Sequence, residues 1–149
     1  MSNPTSNQEK NVSDVVLSRV QSLAQLNALR LPADYSPENA LKSTYLMLQD
    51  VQTKDKKPVL SACDKTSIQS ALFDMVVQGL SPLKRQGYFI AYGDKLKFQR
   101  SYFGAVAVAE RYAGLSHIRA QVIYEGDEFI TEIDPKTGCE ALVKHKRDI

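Results

Sequence analysis

The chain has 149 residues, of which 43% are hydrophobic and 24% charged, and a formal net charge of +2; it is long enough to bury one core, argues against a second domain, and has too little charge to demand a polyanionic partner. Cys63 and Cys139 lie far apart without CxxC spacing, which argues against a disulfide framework or a thiolate metal site and leaves reduced thiols as the expectation. No apolar run approaches the roughly 18 residues of a membrane span and no basic-then-apolar signal opens the chain, so a cytoplasmic protein with no membrane contact is expected.

In chain order, Met1 to Asn11 is polar and holds a proline, which predicts a disordered leader, with residues 12–149 forming a single α+β domain. Val16, Val20, Leu23 and Leu26 recur at helical spacing and predict an amphipathic helix from about Ser13 to Leu29, ending before Pro32. Ser36 and Pro37 read as an N-cap and first helical position of a second helix running to about residue 52 along Ala40, Leu41, Thr44, Tyr45, Leu48 and Val51. The charged segment Thr53 to Pro58 is an exposed connection. A third helix starts near Asp64 or Lys65 and runs to Gln78, with Ile68, Ala71, Leu72, Met75 and Val76 on one face and Gly79 as its stop.

Gln86 to Tyr92 and Lys95 to Arg100 then alternate as strands around Gly93-Asp94, a two-residue connection that selects a tight hairpin. That turn places Tyr92 opposite Lys95 and Phe89 opposite Phe98. Phe89, Ala91, Leu96 and Phe98 therefore share one apolar face, while Tyr88, Ile90, Tyr92, Lys95, Lys97 and Gln99 share the other. Between Lys84 and Arg100 there are five basic residues (Lys84, Arg85, Lys95, Lys97, Arg100) and one acid, Asp94. Tyrosine rings that stack and lysines that meet phosphates are the ingredients of single-strand nucleic-acid binding. The same Tyr-Lys pairs also finish a solvated sheet face, and the pattern leaves both readings open.

Ser101 is a good N-cap for a helix from Tyr102 to Ala113, whose free N-terminal amides beside Arg100 suit a phosphate. Ile118, Ala120, Val122 and Tyr124 alternate with His117, Arg119 and Gln121; Gly126-Asp127 repeats the short connection; Phe129, Thr131 and Ile133 follow. The turn Asp134 to Gly138 leads into Cys139 to Lys144, and the simplest reading is a β-meander. The tail Lys144 to Arg147 is basic, as a solvated terminus or as a further nucleic-acid contact.

No glycine-rich phosphate loop, GxGxxG or triad spacing occurs, so no catalytic residue is assigned. Glu125, Asp127, Glu128, Glu132 and Asp134 gather around the last hairpin, where a nuclease-like divalent ion competes with plain solubility; the expectation is no metal and no cofactor. A binding protein is favoured over an enzyme.

The run ALFDMVVQGLSPLKRQGYFIAYGDKLKFQRSYFGAVAVAER, Ala71 to Arg111, resembles the RecT family of phage and prophage single-strand annealing proteins, relatives of the lambda Red beta recombinase. The features come in order: a helix ending in Gly79, Leu80 and Pro82, a basic and glutamine pair, YFIAYG, then Phe98 to Arg100 leading into Ser101 to Gly104 and a helix ending in Arg111. With HIRAQVIYEGDEF the likeness covers roughly residues 64 to 130. The resemblance implies an ATP-independent recombinase that coats single-stranded DNA and pairs it with a complementary strand, holding the annealed duplex intermediate in a homo-oligomeric ring or filament. It further implies a 5′ to 3′ exonuclease and a host single-strand-binding protein as partners. Carried over by position, the DNA-binding candidates are Lys84, Arg85, Lys95, Lys97, Gln99, Arg100, Tyr102 and Arg111, joined by Tyr88 and Tyr92 from periodicity. Family members continue with further strands and helices, so the chain is expected to be the N-terminal part of the family domain. The alternative expectation is a truncated member that joins oligomers without annealing.

Overall fold

Four helix starts are closed by the side chains that the sequence places there. The computed structural model describes residues 11–116, 118 and 120–148, so the expected leader, Met1 to Asn11, lies outside the described residues except for Asn11, which is not leader but the N-cap of the first helix. Asn11, Ser36, Asp64 and Ser101 accept the amides of Asp14, Asn39, Ser67 and Gly104 and so cap α1 (Val12–Gln25), α2 (Pro37–Asp50), α4 (Lys65–Val77) and α5 (Tyr102–Ala113). α1 stops four residues before the expected Leu29, because Asn27 takes a left-handed conformation and the Ala28 amide folds back onto the Leu23 carbonyl. Two short elements escaped the periodicity: a single turn, α3 (Val59–Ala62), and a 3-10 turn (Pro82–Lys84). Both are shorter than the window over which a helical repeat can be recognised.

The chain divides into two compact units at Ser116. In the first, α1 and α2 pack against α4, and the fully buried side chains Val20, Leu41, Leu48, Ile68, Leu72, Met75 and Val76 form the core. β1 (Gly87–Tyr92) and β2 (Lys95–Arg100) form an antiparallel hairpin in the expected register, Tyr92 with Lys95 through Tyr88 with Gln99. Phe89 and Leu96 are buried in the core and the Phe89 and Phe98 rings lie 5.2 Å apart. The hairpin is anchored to the start of α4: the Asp64 amide donates to the Asp94 carbonyl at 2.7 Å, and the Leu96 amide donates to Ser67 Oγ at 3.1 Å.

The second unit is a hairpin of β3 (Glu128–Ile133) and β4 (Glu140–Lys146) with a bulge after Ile130, where Val143 is the extra residue. With helices and two small antiparallel sheets the chain is α+β, as expected. The meander is reduced to two strands. Its first expected strand has no ladder: Ile118 and residues 120–124 carry no strand, and His117 and Arg119 lie outside the described residues. Alternation marks a stretch able to be a strand, but a strand exists only where a partner supplies the ladder, and β3 pairs forward with β4 instead. Glu125 and Gly126 form a local turn closed by the Asp127 amide on the Tyr124 carbonyl.

Candidate nucleic-acid interface

Because the register buries one hairpin face, it must expose the other. Tyr88 and Tyr92 are 55% and 56% exposed, and Lys95, Lys97 and Gln99 are exposed beside them. Among the described residues none of Lys84, Arg85, Lys95, Lys97 or Arg100 has a carboxylate within ion-pair distance. Arg100 Nη1 reaches only the Gln78 side-chain oxygen, at 3.5 Å. Five cations therefore stand in one segment without an ion-pair partner among the described residues.

The base of the hairpin is joined to α5 through Ser101. Its hydroxyl donates to the Arg85 carbonyl at 2.6 Å and accepts the Gly104 amide, and its own amide donates to the Gln86 carbonyl. Arg85 sits at positive φ in the bend that follows the 3-10 turn. α5 approaches this bend so closely that a Cβ on Gly104 would overlap the Gln86 carbonyl oxygen. With Lys84 in the 3-10 turn just before Arg85, the result brings the Arg85 backbone and the Arg100 side chain to the N-terminus of α5, where Tyr102 is 58% exposed. There the Ser101 cap occupies the Gly104 amide and leaves those of Tyr102 and Phe103 without a partner among the described residues.

Arg111 is placed elsewhere. Its guanidinium donates to the Gly79 carbonyl at the end of α4 and stands 3.8 Å from the Asp34 carboxylate, with most of the side chain covered. It ties α5 to α4 and is not among the side chains the hairpin brings together. Beside it, the Tyr35 hydroxyl donates to the Leu80 carbonyl at 3.0 Å, and burial pushes its pKa far above the ordinary tyrosine value, with Arg111 opposing.

A cleft of about 520 Å³ opens between α2 and the 3-10 turn, lined by Lys42, Asn39, Leu46, Leu83, Lys84 and Gln86 among others. Lys42 carried no sequence signal, since a lysine on the outer face of an amphipathic helix is what solvation alone would select.

The acidic cluster of the second unit is consumed locally. Asp127 Oδ2 lies 2.8 Å from His145 Nε2, Glu128 pairs with Lys144 at 2.8 Å, and Asp134 accepts from the Lys136 amide and the Thr137 hydroxyl inside its own turn. Among the described residues no three histidine, cysteine or acidic side chains converge on a metal position. The basic tail is likewise engaged, Lys144 with Glu128, His145 with Asp127, and Arg147 over the Tyr124 ring. Among the described residues no helix is long and apolar enough to cross a membrane.

No curated protein and no solved structure matches the chain. The family model described as the RecT family matches residues 38–148, from the start of α2 to the end of β4, and so takes in both the hairpin and the α5 junction. The chain belongs to the RecT family, a family of phage-type recombination and annealing proteins.

Proposed function

We propose that this protein binds single-stranded DNA across the outer face of the β1–β2 hairpin and anneals it to a complementary strand without ATP, in phage or prophage recombination. The observation that carries the reading is the hairpin register, which puts two exposed tyrosines, a glutamine and two lysines with no ion-pair partner among the described residues on one face because the opposite face is core. Lysines capture the backbone electrostatically, and each base stacked on a tyrosine contributes about 1–3 kcal/mol. At the hairpin base, Arg100 and the open amides of α5 receive a phosphate, with Lys84, Arg85 and Tyr102 around it. Arg111 positions α5 from behind. Annealing makes and breaks no covalent bond, so the reading assigns no catalytic residue, metal or cofactor.

Residues 12–149 act in this reading as one annealing domain within a cytoplasmic homo-oligomer that holds the new duplex, supplied by a 5′ to 3′ exonuclease and working beside a host single-strand-binding protein. Support for assembly comes from the second unit, where Phe129, Ile130, Leu142 and Val143 are each more than two-fifths exposed, so a two-stranded ribbon presents aliphatic and aromatic side chains on both faces. The same observation favours a second reading, a member that joins oligomers without annealing. Strand annealing by the purified protein, set beside a Lys95→Ala/Lys97→Ala variant, decides. Annealing lost in the variant supports the first reading, binding without annealing in the parent supports the second, and equal annealing by both removes the hairpin from the mechanism.

A further inference from the structure

Resting on the single-strand reading above, we propose that the cleft between α2 and the 3-10 turn is a further nucleotide subsite in which Lys42 contacts a backbone phosphate and Leu46 and Leu83 take a base between them. Lys84 belongs both to the basic segment that leads into the hairpin and to the lining of the cleft, so a strand leaving the hairpin base past Arg85 and Gln86 meets the cleft next. The cleft, about 520 Å³, falls in the size range of sites for small organic ligands and accommodates a single nucleotide. Two lysines stand at its lining, and neither has a carboxylate within ion-pair distance among the described residues.

The acids nearby are committed elsewhere. Asp34, also in the lining, faces the Arg111 guanidinium. The Glu38 carboxylate accepts the Ser36 hydroxyl at 3.2 Å and the Gln21 side-chain amide at 3.4 Å. Leu46 and Leu83 are 62% and 68% exposed, an apolar pair that folding of this unit leaves uncovered. The Gln86 side-chain oxygen accepts the Ser81 amide at 3.0 Å, which fixes the side chain and leaves its NH2 group as a donor to a base edge. A peptide occupant is less well served. The cleft walls are a helix and a 3-10 turn, with no open strand edge for β-addition, and two leucines are too few to anchor an amphipathic helix.

The chain has no tryptophan, so Leu46→Trp installs a single reporter at an exposed position. Titration of the full chain with an oligodeoxythymidylate should quench that fluorescence at saturation. Lys42→Ala should weaken binding about five-fold at 0.1 M salt and lower the salt slope by roughly 0.7, the share of one phosphate; Lys42→Gln repeats the test with the side-chain length kept. The Lys95→Ala/Lys97→Ala variant separates the two ideas. If it weakens binding while the position-46 reporter stays silent and both Lys42 variants bind like the parent, the cleft proposal falls and the hairpin reading stands. If none of the variants changes binding, both fall. Quenching by an acidic peptide and not by the oligonucleotide makes the cleft a protein-docking site and overturns the proposal.

Discussion

Arg111 Nη1 donates to the carbonyl of Gly79 at 2.7 Å, which fastens the last turn of α5 to the end of α4. Gly79 sits at φ +63, and a Cβ there would press on Pro32 and on Arg111 itself, so a glycine is required on both counts. α5 otherwise buries only Gly104. The tether is therefore a large part of what holds the helix, and Arg111→Ala should lower stability by about 1.5–3 kcal/mol, the range for a hydrogen bond from a charged donor. In urea unfolding the midpoint should drop, and the single-strand salt slope of the folded variant should match the parent. A reduced slope would return Arg111 to the phosphate contacts implied by the family resemblance.

The hairpin face gives two separable effects. Lys95→Ala/Lys97→Ala should reduce the salt slope of single-strand binding by roughly 1.4, about 0.7 for each phosphate lost. Tyr88→Ala and Tyr92→Ala should each weaken binding by about 1–3 kcal/mol with little change in slope, because stacking carries no counterion term. Both tyrosines are more than half exposed, so the thermal midpoint should barely move. Anisotropy titrations at several salt concentrations read all of these, and an unchanged slope in the lysine variant would contradict electrostatic capture.

Gly104 sets helix propensity against packing. It is helical, so propensity alone predicts that Gly104→Ala stabilises α5 by about 1 kcal/mol. The Cβ would overlap the Gln86 carbonyl oxygen and press on Arg100, and overpacking of this kind costs about 1–3 kcal/mol. Packing against backbone, which cannot swing aside, should win. Gly104→Ala is expected to lower the unfolding midpoint, and a rise would mean that α5 sits more loosely on the hairpin base than the contact shows.

How much of this could be read from residue order depends on the range of each interaction. Helix caps at Ser36 and Ser101 and the Gly93-Asp94 register are decided within a few residues, and the structure carries them as read. Tyr88 and Lys97 could be assigned to the outer face because a period of two and a known turn leave no freedom. The role of Arg111 was not legible, since its partners Gly79 and Asp34 are distant in sequence and a carbonyl leaves no trace in composition. The absent strand before Glu125 failed for a related reason: alternation says which residues suit a strand and nothing about whether a partner edge is there. The Lys42 cleft is invisible for the same cause, because it exists only once α2 and the 3-10 turn are brought side by side.

Tyr35 links the fold to alkaline pH. Burial raises its pKa above the ordinary value of about 10. The folded state thus favours the neutral phenol, whose proton is donated to the Leu80 carbonyl. The associated stability is fully present below about pH 10 and is lost as pH rises toward the folded value. Urea unfolding at pH 8 and pH 11 should show a larger loss for the parent than for Tyr35→Phe, which has no phenol to ionise. Equal losses would place the alkaline sensitivity in other groups.

Asp127 works in the opposite direction in the second unit. Its carboxylate accepts the Tyr124 amide at 3.1 Å and the Asp148 amide at 3.2 Å and lies 2.8 Å from His145 Nε2. The His145 hydrogen bond first, and the Tyr124 amide second, hold its pKa below the usual aspartate value. A lowered carboxylate contributes stability above its unfolded pKa of about 3.9, and the contribution disappears as pH falls through the folded value. The amide shifts of Tyr124 and Asp148 should therefore titrate together with a midpoint below about 3.9, and the transition should vanish in Asp127→Asn. A midpoint at or above the ordinary value would mean that the carboxylate is not tied to both amides, and the turn that leads into β3 would then be held by the Asp127 amide on the Tyr124 carbonyl alone.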